Sequence, residues 1–370
     1  MRAEDLAVLQ ATGLYDPSAP NSAERLELIE WLASQGASLE QMAATASADT
    51  LTSLAGDLLL RGEYCFDLEE AALRSRMSVE RLLQLGRVAG VPPADFLTLR
   101  FSGTDVAAFS AFDQATQLFG EEPVLHFTRV VGSSLARLAE AAFSLFLVNI
   151  EGPIQDLGGS EVALAQANLE AVRQFSAIEP VLNSLLRAHF EVARRRMRTA
   201  RHESSVDLMQ MTVGFVDLVG FTALSRRLSA RELADLVAQF EALANDLIVA
   251  RDGRLVKLIG DEVMFVALDA ASACDVALAL MERFAEDPVI TPHGGLATGP
   301  LLVRGGDYYG PIVNLAARLA DLAVPREVLV TAALMDRARD DRLRFQPAGK
   351  RMLKGFDEPV ILYSAERTQS

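Results

Sequence analysis

Near Met211 the hydrophobic period of the chain changes. Upstream, apolar residues recur every three or four positions, the repeat of a helix with one buried face. Downstream, short β-type runs are interleaved with helical ones. A single layer architecture does not accommodate both patterns, so the chain divides into an all-α half and an α+β half. Its 370 residues are enough for a separate core in each.

In the first half, ERLELIEWLASQG spaces Leu26, Ile29 and Leu32 helically, with Trp31 beside them, and Gly36 is a natural stop. DLEEAALRSR, VERLLQLGRVAG, HFTRVVGSSLARLAEAAFSLFLV and EVALAQANLEAVRQF repeat the pattern. Gly90-Val91-Pro92-Pro93 and Gly152-Pro153 are expected to separate helices. VLNSLLRAHFEVARRRMRTARHESS begins apolar and turns basic, as a helix does when it leaves a core and becomes a connector. The expected organisation is an all-helical domain over 1–184, a helical connector over 185–206 and an α+β domain over 207–370.

The second half opens with the β-type run MTVGFVDLVG and a helix in TALSRRLSARELADLVAQFEALANDLIVA. GRLVKLIGDEVMFVAL reads as a hairpin, ASACDVALALMERFAED as a second helix, and HGGLATGPLLVRGGDYYG as Gly-rich strand. PIVNLAARLADLA is a third helix, followed by strands in EVLVTAAL, RLRFQPAGKRML and PVILYSAE. The order βαββαβ predicts a ferredoxin-like α+β sandwich with its helices on one face.

Bulk properties narrow the function classes. A net charge of −15 argues against a chain that coats nucleic acid. Cys65 and Cys274 are far apart and lack metal-type spacing, as expected of reduced thiols. The start MRAEDLAVLQ is too acidic for a signal peptide. The apolar run AAFSLFLV is short of the roughly 20 residues that span a bilayer. The expectation is a soluble cytoplasmic chain with no transmembrane segment, touching membranes peripherally if at all.

Polar residues that interrupt the apolar pattern mark candidate chemistry. Asp217 ends the run VGFVD, and Asp261 sits at the tip of the hairpin KLIGDEVMFV. Two carboxylates at neighbouring strand ends suit a hard divalent cation, which shares its coordination with substrate phosphate oxygens. Gly220-Phe221-Thr222 can present free amides to an anion at a helix start. Asp307, Asn314 and Arg318 form a second cluster: Pro311 can open a helix, placing Asn314 and Arg318 one turn apart. An amide and a guanidinium on one face can hold a ribose oxygen and a phosphate. Lys257 precedes Asp261 on the hairpin, but strand alternation leaves its direction open. A lone strand-end aspartate is also what a helix cap looks like, and Glu262 reads as a solvated strand-flanking group. Spacing alone therefore leaves a metal–phosphate site and a structural account both open.

FVDLVGFT, LVKLIGDEVMF, the stretch from Asp307 to Arg318 and the closing LKGFDEPVILY, in that order across Thr212 to Arg367, resemble the catalytic domain of the class III adenylyl/guanylyl cyclases. The resemblance implies that Asp217, Asp261 and the Leu218 carbonyl hold two Mg²⁺ or Mn²⁺ ions. It implies that Lys257 and Asp307 read the purine, Asn314 orients the ribose, Arg318 stabilises the transition state and Lys354 binds phosphate. A lysine donor and an aspartate acceptor complement N1 and the N6 amino group of adenine and oppose guanine, so ATP is the implied substrate. In the family the metal aspartates and the purine and transition-state residues come from different subunits. A complete set on one chain thus implies a head-to-tail homodimer with two composite sites. A catalytically silent nucleotide-binding signalling module is the alternative.

The helical half, with ATGLYD and ERLELIEWLASQG, resembles the regulatory domain of actinobacterial class III cyclases. That resemblance implies control by pH or by a fatty-acid or lipid-like ligand. Among the four histidines, His126, His189, His202 and His293, the pair flanking the basic connector, His189 and His202, are the candidate sensors. They also read as ordinary exposed helix residues. FDLEEAALRSRMSVERLLQLGRVAGVP has a helix-turn-helix cadence, but its balanced charge offers no basic recognition face, so a packing unit without nucleic-acid binding is expected.

Overall fold

A computed structural model describes residues 3–45, 48–62, 65–200, 208–219, 221–284 and 291–368. The chain separates into two compact units, Met1–Arg187 and Ala188–Ser370.

Among the described residues, the regular structure of the first unit is helical, apart from an isolated bridge between Phe66 and Phe101. In the helix Ser22–Ser34, Leu28, Ile29 and Leu32 are buried in a cluster with Leu9, Leu51, Leu54, Ala165 and Leu169. Arg25 ties this helix to Glu161 at the start of the helix Glu161–Ser176, with two N–H donations of 2.8 and 2.6 Å. A second cluster gathers Leu68, Ala71, Leu82, Phe96 and Phe101. Two of its helices, Leu68–Ser75 and Val79–Val88, begin at side-chain caps: Asp67 with a reciprocal Glu70, and Ser78. The helix-turn-helix cadence is therefore a packed pair around an aromatic core.

One expectation fails in this unit. Gly152-Pro153 does not end a helix: Glu121–Phe146 passes through a π turn at Leu147–Glu151 and continues to Asp156. Proline lacks an N–H and its ring crowds the carbonyl four residues back, and a wider turn relieves both conflicts. The resulting rod of 36 residues embeds AAFSLFLV in a longer apolar stretch, long and apolar enough to cross a membrane by length and composition. Phe127, Val131, Leu135, Phe143 and Val148 along it are exposed. The helix Glu179–Ala200, which covers the basic connector segment, exposes Val181, Leu185, Leu186 and Phe190 in turn.

The second unit is built on one eight-stranded sheet. Its strands are β1 (Leu208–Val219), β2 (Arg254–Ile259), β3 (Glu262–Ala267), β4 (Thr291–Arg304), β5 (Asp307–Tyr309), β6 (Val328–Thr331), β7 (Leu343–Arg351) and β8 (Val360–Arg367). They run in the order β2-β3-β1-β4-β6-β8-β7, with β5 paired to β4 off this path. The β1, β2, β3 and β4 pairings are antiparallel, while β4 and β6 are parallel.

Strand alternation assigns each side of the sheet its own cover. Val216, Leu218, Val263 and Phe265 face one core with the helices Ala230–Val249 and Ala270–Arg283. Met211, Val213, Phe215, Met264 and Val266 face the other, under the helix Pro311–Leu322 through Leu315, Ala316, Leu319 and Ala320. The expected single helical face is thus corrected: the third helix crosses to the opposite side. Gly295 on β4 lets it come close, since a Cβ there would stand 2.1 Å from the Ala320 nitrogen.

Candidate active site

The hairpin that carries Asp261 forms as its sequence suggests. Ile259 pairs with Glu262, and Gly260 and Asp261 make the two-residue turn. Gly260 has φ +67°, whereas Asp261 is not left-handed. A primed hairpin turn that needs glycine at its first central position explains the order Gly-Asp.

The ladder between β1 and β3 stops at Val216 opposite Val263, so Asp217 and Leu218 lie just beyond it, next to that turn. By alternation Asp217 continues the row Met211, Val213 and Phe215, on the side covered by Pro311–Leu322. The Leu218 side chain points into the opposite core, and its N–H donates to Asp217 Oδ1 at 2.9 Å.

Lys257 reaches the same side because the turn sets its register: Ile259 pairs with Glu262, Leu258 with Val263 and Lys257 with Met264. Arg254 pairs with Val266 and Leu255 with Phe265, but Lys257 then pairs with Met264. One extra residue, Val256, bulges between Leu255 and Lys257 and so places Arg254, three positions before Lys257, on the same side as Lys257, Met264 and Asp217. There Lys257 Nζ donates to Asp307 Oδ2 at 2.5 Å, and the second Asp307 oxygen accepts the Tyr308 N–H at 2.8 Å. The structure thus joins two residues 50 positions apart in sequence.

Pro311 opens the third helix behind Gly310, as expected. Asn314 and Arg318 lie one turn apart on it, both exposed, and Arg318 donates to Asp321 at 2.9 Å. Lys354 is exposed in the turn between β7 and β8. Phe221 opens the five-residue helix Phe221–Ser225 with its ring buried in the core, and Thr222 follows it. Gly220, the first residue of the expected amide cradle, lies outside the described residues, as does His202. His189 is exposed on the connector helix.

Two functional candidates were not legible as such in the sequence. His293, on β4 opposite Asp217, is buried, with Nε2 3.5 Å from Asp217 Oδ2. Its Nδ1 lies 2.8 Å from the Ala320 carbonyl, which can only accept, so Nδ1 carries a proton. The imidazole therefore links the strand-end aspartate to the helix that bears Asn314 and Arg318. The facing His293 pulls the Asp217 carboxyl below its ordinary range, and Asp217 in turn raises the histidine. The second is Glu262, expected to be solvated. It is half-buried, and burial together with Asp217, Asp321 and Asp261 pushes its carboxyl up to about 7. Burial and the neighbouring Asp217 also raise Asp261. In the helical unit, His126 Nε2 is buried without a hydrogen-bond partner.

Among the described residues, no three His, Cys, Asp or Glu side chains form a ready-made metal cage. Asp217 and Asp261 instead repel one another at one end of the sheet, and a divalent cation binding there would relieve that repulsion. Hard cations that retain water and substrate oxygens need only one or two protein carboxylates, so the residues fit such an ion.

Residues 204–366 match the family described as the adenylate and guanylate cyclase catalytic domain, and residues 9–197 match the adenylate cyclase regulatory domain. The chain belongs to the class III cyclases, and within them to the adenylate cyclases that carry this helical regulatory domain. It is similar to the pH-sensitive adenylate cyclase of Mycobacterium tuberculosis, at 30% identity over 96% of this chain and 91% of that one. An uncharacterised protein of the same organism is 32% identical over 97% of this chain and 93% of its own length. Among solved structures, the adenylyl cyclase CyaB from P. aeruginosa is 25% identical, with 43% of this chain and 95% of that one covered and a TM-score of 0.40.

Proposed function

We propose that the chain converts ATP to 3′,5′-cyclic AMP and pyrophosphate at composite sites of a head-to-tail homodimer. The observation that carries this reading is the Lys257–Asp307 pair, a donor and an acceptor held together on the side of the sheet covered by Pro311–Leu322. Lys257 would donate to adenine N1, and Asp307 would accept from the N6 amino group. Guanine offers an N1–H and a carbonyl at those positions, so the pair disfavours it.

Asp217 and Asp261, with the Leu218 carbonyl, would hold two Mg²⁺ or Mn²⁺ ions. Bound there, the ions would acidify the ribose 3′-hydroxyl and spread charge over the phosphates. His293 keeps Asp217 ionised and aimed. Asn314 orients the ribose so that its 3′-oxygen is in line with the α-phosphorus. A bond forms between those two atoms while the bond from the α-phosphorus to the bridging oxygen breaks, pyrophosphate leaves, and the 3′-proton passes to solvent or phosphate. Arg318, after exchanging Asp321 for substrate, meets the charge growing at the α-phosphate. Lys354 and the amides of Phe221 and Thr222 contribute to phosphate binding.

The exposed side chains of Asn314 and Arg318, and the apolar faces of the helices Glu121–Phe146 and Glu179–Ala200, support a second copy as partner. Residues 1–184 act as the regulatory domain and 185–206 as its connector to the cyclase domain, 207–370. The effector is pH, through His189 and His202, or a fatty-acid or lipid-like molecule. A cytoplasmic location accords with the substrate.

The test is product formation by the full chain from Mn-ATP and Mn-GTP, then mixing of Asp217→Asn with Asn314→Ala protein. Each variant alone should be inactive and the mixture should recover activity through one intact site. Nucleotide binding without product would establish the silent module. Mixed dimers that stay inactive would end the shared-site arrangement.

A further inference from the structure

Asp307 stands in a weakly supported part of the sheet. It begins β5, a strand of only three residues, joined to β4 by Gly305 and Gly306, both left-handed at φ +62° and +80°. A short strand on a glycine turn does not by itself hold a carboxylate in one place.

A single guanidinium supplies the missing support. Arg254 Nη2 donates to the Gly306 carbonyl at 3.0 Å, and Nη1 donates to the Tyr308 hydroxyl at 3.3 Å. Its central carbon lies 5.7 Å from the Tyr308 ring centroid. Gly306 and Tyr308 are the two neighbours of Asp307, and Tyr308 is itself buried in the core. Arg254 therefore grips the hairpin on both sides of the aspartate without touching the aspartate. It also sits on β2, three positions before Lys257, so both members of the pair are referenced to one strand. The start of that strand is braced in turn. Arg196 on the connector helix donates to the Gly253 carbonyl at 2.7 Å and to that of Asp252 at 3.3 Å.

We infer that Arg254 is a positioning residue for base recognition, holding Asp307 where it and Lys257 can read the same purine, a role that rests on the base-reading assignment proposed above. A lysine at 254 has one point donor and cannot span the carbonyl and the hydroxyl together. The substitution Arg254→Lys should therefore rescue Arg254→Ala only in part.

The experiment uses the full chain and three variants, Arg254→Ala, Tyr308→Phe and Lys257→Ala. It measures kcat and KM for ATP and GTP, and the affinity for fluorescent ATP and GTP analogues with Ca²⁺ as the cation. Arg254→Ala should raise the KM for ATP and weaken the ATP analogue by about tenfold, the loss expected for charged hydrogen bonds. It should narrow the preference for ATP over GTP while kcat falls less than about threefold. A fall in kcat with unchanged KM, analogue affinity and base preference would overturn the role. Should Arg254→Ala fail to fold, Tyr308→Phe removes one of the two acceptors and should change KM and base preference in the same direction, by about twofold. No change there counts against the role equally. Lys257→Ala separates the two levels. If it leaves base preference intact, the base-reading assignment fails. If it abolishes the preference while Arg254→Ala does not, only the positioning role fails.

Discussion

On the side of the sheet covered by the helix Pro311–Leu322, two ends are electrostatic opposites. At one end Asp217, Asp261 and Glu262 crowd together with a single histidine, and two of the three carboxyls are pushed up by burial and mutual repulsion. At the other, Lys257 and Asp307 cancel one another's charge within 2.5 Å. In the proposed site a cation would complete the acidic end, so its energetics would depend on what binds. The paired end is complete before anything binds, so its contribution there would be shape and choice. An ion pair already formed has less reorganisation to do than one assembled on arrival.

Substitutions that remove charge should therefore separate the ends by kind of effect, not only by size. The largest loss belongs to the acidic end. Asp217→Asn or Asp261→Asn should lower cyclic AMP formation by about 10³-fold or more, since metal-based charge stabilisation is worth several kcal/mol. Steady-state rates over a range of Mn²⁺ concentrations check this, and activity that high Mn²⁺ fully restores would mean that the carboxylate is not a ligand. At the paired end, Lys257→Glu should lower kcat/KM for ATP by about 10²-fold, with a much smaller loss for GTP. Equal losses for both nucleotides would show that the pair chooses nothing.

A smaller effect comes from the helix that spans the two. In Gly295→Ala the new Cβ meets the backbone at Ala320, so the helix must move away from β4. About 1–3 kcal/mol of stability should go with it, visible as a lower urea midpoint. Activity should fall further than stability does, because Asn314 and Arg318 ride on that helix.

The smallest effect is a slope. Glu262 ionises at about 7 in the folded chain against an ordinary value of 4.5. Between those values the folded chain keeps a proton that the unfolded chain has lost, so stability of the metal-free protein falls as pH rises. His293, raised by Asp217, contributes fully below its ordinary 6.5 and loses that contribution as pH rises through its folded value. Both effects act in the same direction. Urea midpoints of metal-free protein should drop from pH 5 to pH 8, and Glu262→Gln should flatten the lower part of that slope. An unchanged slope in Glu262→Gln would place the titration elsewhere.

The sequence made the acidic turn and the helix start at Pro311 readable because both depend on neighbours in the chain. Gly260 is required by its turn, and Pro311 by the first turn of its helix. The meeting of Lys257 with Asp307 came only through family resemblance, since no local pattern relates residues on β2 and β5. His293 was visible as a histidine and invisible as a partner of Asp217. Their contact depends on the register of β1 against β4 and on the carbonyl of Ala320, neither of which leaves a local trace. Glu262 looked solvated because adjacency to Asp261 suggested exposure, whereas pairing with Ile259 turned it under neighbouring carboxylates. The continuity of the helix past Pro153 was hidden for a different reason. Proline signals a break by rule, and a π turn is the structural exception that no composition announces.

The spacing between Lys257 and the hairpin turn has a consequence for how such chains diverge. The side on which Lys257 emerges is set by how many residues lie between it and the Gly260-Asp261 turn, not by which residues they are. Loss of Leu258 or Ile259 would leave every candidate site residue in the gene and place the lysine opposite Val263, on the side of the other hydrophobic core. If Lys257 reads the base as proposed, a relative with a one-residue gap between that lysine and the turn would keep the lysine and lose its substrate. The length of β2 there would determine nucleotide choice as much as the lysine itself.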